Sequence, residues 1–360
     1  MKKFLKISGV LFLGAIGIGL IWYFQSLKVE GDPLLTACWS VDLYDDLTGE
    51  KVVGVEDLDF DPEGGAIFMS AYDRRAVARE IDEGKVTTQG GIYTINVSDI
   101  TVTASLKVTD ISRAFKDAGN EFRPHGFELG GGLLSSINRV YQTNEGENLL
   151  KPEIVYFIKF DGVWRHLGTE KPENICDPYD VILITDGIAL LGLYTDVTGN
   201  CDGGWGQPKG AIKKGDEIVL DNLSFPNGIV RLGLKEIVVT ETGKSSVKFF
   251  DLDNPNDQYD ISLPIAPDNL TVGMKNNLYV AGFPNLLDYY FYMNGWLGVE
   301  KSPSVAYRIS PETYEQTLLF KDNGAMISGA TVALRAKDYL ILGSGWDDHI
   351  AICSGMDGLD

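Results

Sequence analysis

The sequence predicts an all-β fold: a six-bladed β-propeller closed by a terminal disulfide and preceded by one N-terminal transmembrane helix. Three observations predict it. Strand–turn–strand units recur with almost no helical periodicity between them, six short polar clusters recur at a similar spacing, and one long uncharged apolar run stands near the start of the chain.

The apolar run comes first. Lys2, Lys3 and Lys6 precede Ile7 to Phe24, which ends in Trp22, Tyr23 and Phe24. A helix over that run rises about 27 Å, close to the thickness of a hydrocarbon core. The aromatics fall where an interfacial belt would lie, and the leading lysines favour a cytoplasmic N-terminus. A cleaved signal peptide is the competing reading, but no good small-x-small site precedes Ser26. Residues 1–26 are therefore expected to be an uncleaved signal anchor and 27–34 a short linker. Residues 35–360 would form the propeller, exported to a periplasmic or extracellular side.

Cysteine use agrees with export. Cys38 follows the anchor and Cys353 lies near the other end of the chain; an oxidising compartment would let them pair. Two buried free thiols are the alternative, although that does not explain why they flank the whole domain. Cys176 and Cys201 either form a second bridge or stay reduced, and spacing leaves this open.

The strands follow. GAIFMSAYD precedes GIYTINVS, VYQTNE precedes EIVYFIKFDG, KEIVVTET precedes SSVKFFDLD, NNLYVAGFPN precedes SVAYRISPE, and DYLILGSGW precedes HIAIC. Each first strand is rich in Val, Ile, Leu and Tyr, as a sheet buried on both faces requires. Asp161-Gly162, between IVYFIKF and VWRHL, is a hairpin turn signal. A short helical candidate covers Ile111 to Ala118. Six units over the exported part give about 55 residues per blade, near the upper end of propeller periods. A β-sandwich would not need so regular a series of hairpins. In a ring the first and last strands meet, so a Cys38–Cys353 bond would fasten the closure, contributing about 5 kcal/mol in the chain-entropy model.

The composition narrows the partners. Acidic residues number 51 against 31 basic, a net charge of −20; phosphate backbones need a basic footprint, so nucleic acid is excluded, and cations are favoured.

The polar clusters stand at the start of successive inner strands: Glu56-Asp57, Pro-His125-Gly-Phe, Pro-Tyr179-Asp180-Val, Pro-Asn227-Gly-Ile, Pro-Asp268-Asn269-Leu and Gly-Ala-Thr331-Val. They lie about 40 to 70 residues apart, one per blade, so in a propeller they would converge on the axis. Glu56, Asp180 and Asp268 offer carboxylate oxygens, and Asn227 and Asn269 amide oxygens. An all-oxygen, mixed-charge cage suits Ca²⁺ and not zinc. Any one cluster alone reads better as turn chemistry; six in phase do not. Glu56 beside Asp57 poses its own question, since neighbours on a strand point to opposite faces.

VEDLDFDPEG, FRPHGFEL, PYDVILI, FPNGIV, PDNLTV and ATVALRAKDYLILGS, in this order with an end-to-end cysteine pair, resemble the paraoxonase/arylesterase family, grouped with the senescence-marker-protein/gluconolactonase propellers. The resemblance implies a six-bladed propeller with two calcium ions in its tunnel. By it, Glu56, Asn227, Asp268 and Asn269 match ligands of an upper, catalytic ion. Asp57, Asp180 and the Phe127 carbonyl match a lower, structural one. His125 matches the proposed general base, and its partner position falls on Glu145. Tyr179 stands where the family has an asparagine ligand, and Phe283 where it has a pocket histidine. His166 and His349 match nothing. The expected activity is hydrolysis of a small-molecule ester or lactone, with the aromatic run LLDYYFYMNGWLG shaping the tunnel mouth. A non-catalytic, calcium-stabilised, membrane-anchored binding module is the alternative. Strictosidine-synthase-like chemistry is disfavoured by the paired Glu56-Asp57 and Asp268-Asn269.

Overall fold

The computed structural model describes residues 29–144, 147–186, 189–197 and 209–359. The expected anchor, Glu145 and Cys201 lie outside the described residues. Among the described residues no helix is long and apolar enough to cross a membrane.

Among the described residues the strands assemble into four separate four-stranded sheets, a two-stranded ribbon and one nine-stranded sheet, eight of whose strands form a continuous path. In that path the strand Cys38–Asp45 joins two four-stranded units. It pairs antiparallel with Ile350–Ser354 and parallel with Ser105–Asp110. Each sheet runs outward from an inner strand, and the inner strands form a closed cycle. Val55–Asp61 packs on Pro124–Gly130, then Pro178–Asp186, Pro226–Leu232, Ala266–Val272 and Val332–Ala336, which returns to Val55–Asp61. Sheets packed face to face bury both sides of a middle strand, so the second strands are buried along most of their length. Leu278–Phe283 is buried at every residue. The core clusters lie between adjacent sheets, as with Ile182, Leu193, Ile229 and Ile237.

Cys38 and Cys353 sit opposite each other in register and are disulfide-bonded over a separation of 315 residues. The closure is therefore covalent as well as hydrogen-bonded. Cys176 is also oxidised. Asp161 and Gly162 both have positive φ, 50° and 79°, between the paired Phe160 and Val163, as a two-residue hairpin turn demands.

Three local expectations change. Glu153–Phe160 pairs with Leu133–Asn138, not with VYQTNE; Tyr141–Asn144 instead makes a small ribbon with Glu147–Leu150. The reason is that LLSSIN is the segment buried on both faces. Two helices beyond the one at Arg113–Asp117 also appear, Arg74–Asp82 and Leu286–Asn294. Both occupy strand-to-strand connections.

Candidate metal centre and active site at the hub

Five inner strands carry a register irregularity at the polar cluster itself. It falls between Val55 and Asp57, Pro124 and Phe127, Pro178 and Val181, Pro226 and Ile229, and Pro267 and Leu270. A bulge re-aims the side chains beside it. Neighbours that would face opposite ways on a flat strand are therefore buried together: Glu56 with Asp57, and Asp268 with Asn269. Glycine lets the strands approach closely. A Cβ on Gly126 would lie 2.3 Å from Asp180 Oδ1, and one on Gly228 2.7 Å from Asn269 Cα. Three threonines then bond to the carbonyls of cluster residues on the neighbouring inner strands. Thr195, Thr240 and Thr331 donate through their hydroxyls to the carbonyls of Asn227, Asp268 and Glu56, at 2.7, 2.5 and 2.8 Å.

The side chains separate into two groups. In the first, Asp57 and Asp180, every carboxylate oxygen already accepts a backbone N–H. Asp57 takes those of Leu58 and Phe127 at 2.8 and 2.9 Å, and Asp180 those of Val181 and Ile229, both at 2.8 Å. Burial holds both carboxyls well above the usual range, and for Asp57 the nearby Asp180 charge adds to it. Asp59 and Glu128, which sequence reading missed, extend this acidic wall. Burial pushes Asp59 up to about 6 and Glu128 up to about 7.

The second group, Asn227, Asp268 and Asn269 with Glu56, is different. Asn227 Oδ1, Asp268 Oδ1 and Asn269 Oδ1 are buried and accept no hydrogen bond. Asn269 spends its Nδ2 on Glu56, reaching the carbonyl at 3.1 Å and Oε1 at 3.4 Å. Burial, then the Glu56 charge, raises the Asp268 carboxyl well above its ordinary value. A buried acceptor without a donor costs about 1–3 kcal/mol, and three on residues that neighbour one another and the Glu56 carboxylate call for a positive partner. Oxygen atoms alone, from the two strands Pro226–Leu232 and Ala266–Val272, fit a hard cation such as Ca²⁺.

His125 stands beside this group, with Nδ1 3.7 Å from Glu56 Oε1 and without a hydrogen bond. Burial, then the charges of Arg139 and Arg74, lowers its pKa well below 6.5. Among the described residues, the carboxylate facing His125 is Glu56. Tyr179 packs its ring edge-on to His125 and Phe225, at 5.2 and 5.1 Å, with its hydroxyl 3.5 Å from Asp177 Oδ2. It forms a wall. Phe283 is 1% exposed and stacks on Tyr289 at 3.5 Å between ring centroids.

Sequence reading also missed Arg74. Its Nη2 lies 3.3 Å from Glu56 Oε2, and its Nη1 donates to the Gly54 carbonyl at 2.9 Å. Away from the hub, Asp347, Asp348 and His349 gather their ligand atoms within 4.8 Å. Their oxygens are engaged: Asp347 accepts from the Ser328 N–H, and Asp348 pairs with Lys51 and His349. His166 is exposed on its strand, beside Thr169.

Fold and hub together define an all-β, propeller-type protein whose axis is lined with oxygen donors. Residues 214–353, less than half of the chain, match the model of the Arylesterase family, so the paraoxonase/arylesterase resemblance read from the motifs holds over that segment, which contains Asn227, Asp268 and Asn269. The match supports a hydrolase-type function. No curated protein matches the chain. Among solved structures, it is similar to a putative gluconolactonase, at 13% identity over 92% of this chain and 95% of that one, with a TM-score of 0.46. It is also similar to a luciferin-regenerating enzyme, at 15% identity over 85% and 93%, with a TM-score of 0.45. An α-L-arabinanase of Penicillium chrysogenum gives 12%, 91% and 99%, with a TM-score of 0.46. At these values nothing about chemistry follows from the three structures.

Proposed function

We propose that the chain is a calcium-dependent hydrolase of carboxylic esters or lactones, built as a six-bladed propeller and held on the exported side of a membrane. The observation that carries this reading is the set of three buried, unpartnered oxygens, Asn227 Oδ1, Asp268 Oδ1 and Asn269 Oδ1, next to Glu56. The arylesterase match supports the reaction class. The Cys38–Cys353 bond supports an oxidising compartment, and the apolar run Ile7 to Phe24 supports the tether.

Glu56, Asn227, Asp268 and Asn269 would hold the catalytic ion; Asp57, Asp180 and the Phe127 carbonyl are the residues for a second, structural one. When bound, the ion supplies positive charge that polarises the ester carbonyl and offsets the developing oxyanion. His125 is neutral at neutral pH because burial and two arginines disfavour its charged form. With Nδ1 turned to Glu56 Oε1, the carboxylate favours the tautomer protonated there. Nε2 is then left to take a proton from an attacking water. Phe283 and Tyr289 give the mouth an apolar wall suited to an aryl or lipophilic group.

The test assays phenyl acetate and a panel of lactones with and without EGTA. Turnover that needs calcium, falls in His125→Gln and collapses in Asp268→Ala is the expected result. Turnover indifferent to chelation counts against it. The alternative, a calcium-stabilised binding module, draws on Tyr179, whose hydroxyl is directed at Asp177 where the family has a ligand. A chelator that lowers Tm, with no turnover of any substrate, would favour that reading.

A further inference from the structure

The unpartnered groups at the hub are of two kinds, and a cation answers only one of them. Asn227 Oδ1, Asp268 Oδ1 and Asn269 Oδ1 are acceptors. Arg74 Nη2 is a buried donor without a hydrogen bond in the same place. Arg74 is 7% exposed, and its position is fixed from several sides. Nη1 reaches the carbonyls of Gly54 and Gly345 at 2.9 and 3.4 Å, and the guanidinium lies 4.1 Å over the Tyr72 ring. Nη2 is buried and free to turn to a ligand, and its neighbour Glu56 Oε2 stands 3.3 Å away as an ion pair.

The charge balance decides what that ligand is. A divalent ion on the unpartnered oxygens would be balanced by Glu56 and Asp268. The neighbouring Arg139 is balanced by Asp177, at 2.7 Å. Arg74 would then share its ion-pair partner, Glu56, with the ion, and in a dry site a cation so weakly compensated favours a second anion. A planar guanidinium with a spare N–H matches a carboxylate. Hydrolysis of an ester or lactone produces a carboxylate beside the ion.

From this we infer that Arg74 is an anion-binding residue of the hub, which takes the carboxylate of the acid product next to the bound cation. The inference rests on the calcium-dependent hydrolase reading. It makes the acid product a ligand that calcium recruits, and so an inhibitor of the reaction that forms it.

The test uses the full chain in calcium. Terbium luminescence reports the cation site, and calorimetry compares phenylacetate with its neutral isostere phenylacetamide. The wild type should bind phenylacetate about ten- to a hundredfold more tightly than the amide, and EGTA should remove the preference. Arg74→Met should abolish it while terbium still binds. Arg74→Gln, a neutral side chain able to keep the bond to Gly54, is the second variant should the first not fold. A wild type that holds terbium yet binds both probes equally overturns the inference and leaves the hydrolase reading standing. So does a preference that survives in both neutral variants. A wild type that holds no terbium overturns the metal reading and the inference with it.

Discussion

A Cβ placed on Gly345 would lie 2.0 Å from Glu56 Oε2, closer than any real contact allows. The carboxylate therefore needs that glycine, and Gly345→Ala must push Glu56 off its place between Arg74, His125 and Asn269. The expected outcome is a loss of terbium affinity of about ten- to a hundredfold, the usual range when a residue supporting a metal ligand is disturbed. The Tm of the calcium-loaded protein should also fall further than that of the chelated protein. An unchanged affinity would mean that Glu56 does not hold the ion. At this scale much of the site was legible, because carboxylates and amides at the start of apolar strands are hard to explain otherwise. Arg74 was not. In SAYDRRAVARE an arginine pair reads as a solvated helix face, and only the end of the strand Ala66–Ala71 close to the hub turns the first of the two inward.

At the scale of elements, helix Leu286–Asn294 brings Tyr289 close to Asp268, Glu56 and Arg74. Helix Leu286–Asn294 starts on Asn285, whose side chain accepts from the N–H groups of Leu287 and Asp288. It is held at its far end by Arg75, which donates to the carbonyls of Tyr292 and Met293 at 3.3 and 3.4 Å and lies over the rings of Tyr292 and Trp346. A cation on the last carbonyls of a helix is favourable by about 0.3–1 kcal/mol. Arg75→Ala should loosen this helix and leave the hub in place: amide exchange rises over residues 286–294, KM for aryl esters rises severalfold, and terbium affinity does not change. A fall in terbium affinity would instead tie the helix to the metal cage. The aromatic run was legible as a segment distinct from the strands, but its helix was not. LLDYYFYMN is apolar on nearly every side, so it lacks the period that marks a helix lying on a core. The strand pairs were legible wherever both members are apolar. They failed at VYQTNE, where a polar ribbon competes with the buried strand LLSSIN.

For the molecule as a whole, the ring concentrates buried acid along one axis, and this sets the pH dependence of its stability. Burial raises Asp59 from 3.8 to about 6 and Glu128 from 4.5 to about 7, and raises Asp57, Asp180 and Asp268 in the same sense. A carboxyl with a higher pKa in the folded chain than in the unfolded one holds its proton more tightly when folded. Its contribution is fully present below its unfolded value and is lost as pH rises through its folded value. For Asp59 and Glu128 that window runs from about pH 4 to about pH 7. His125 opposes the trend, since its lowered pKa favours unfolding below about 6.5, but it is one group against several. Chelated protein should therefore lose several degrees of Tm between pH 5 and pH 8. Millimolar calcium should flatten that slope by supplying the missing positive charge to ionised carboxylates, with stabilisation that grows with pH. Thermal melts in EGTA and in calcium across this range check it. A chelated protein more stable at pH 8 than at pH 5 would mean that the axial carboxylates are already compensated by the fold, and that the hub has no electrostatic need of an ion.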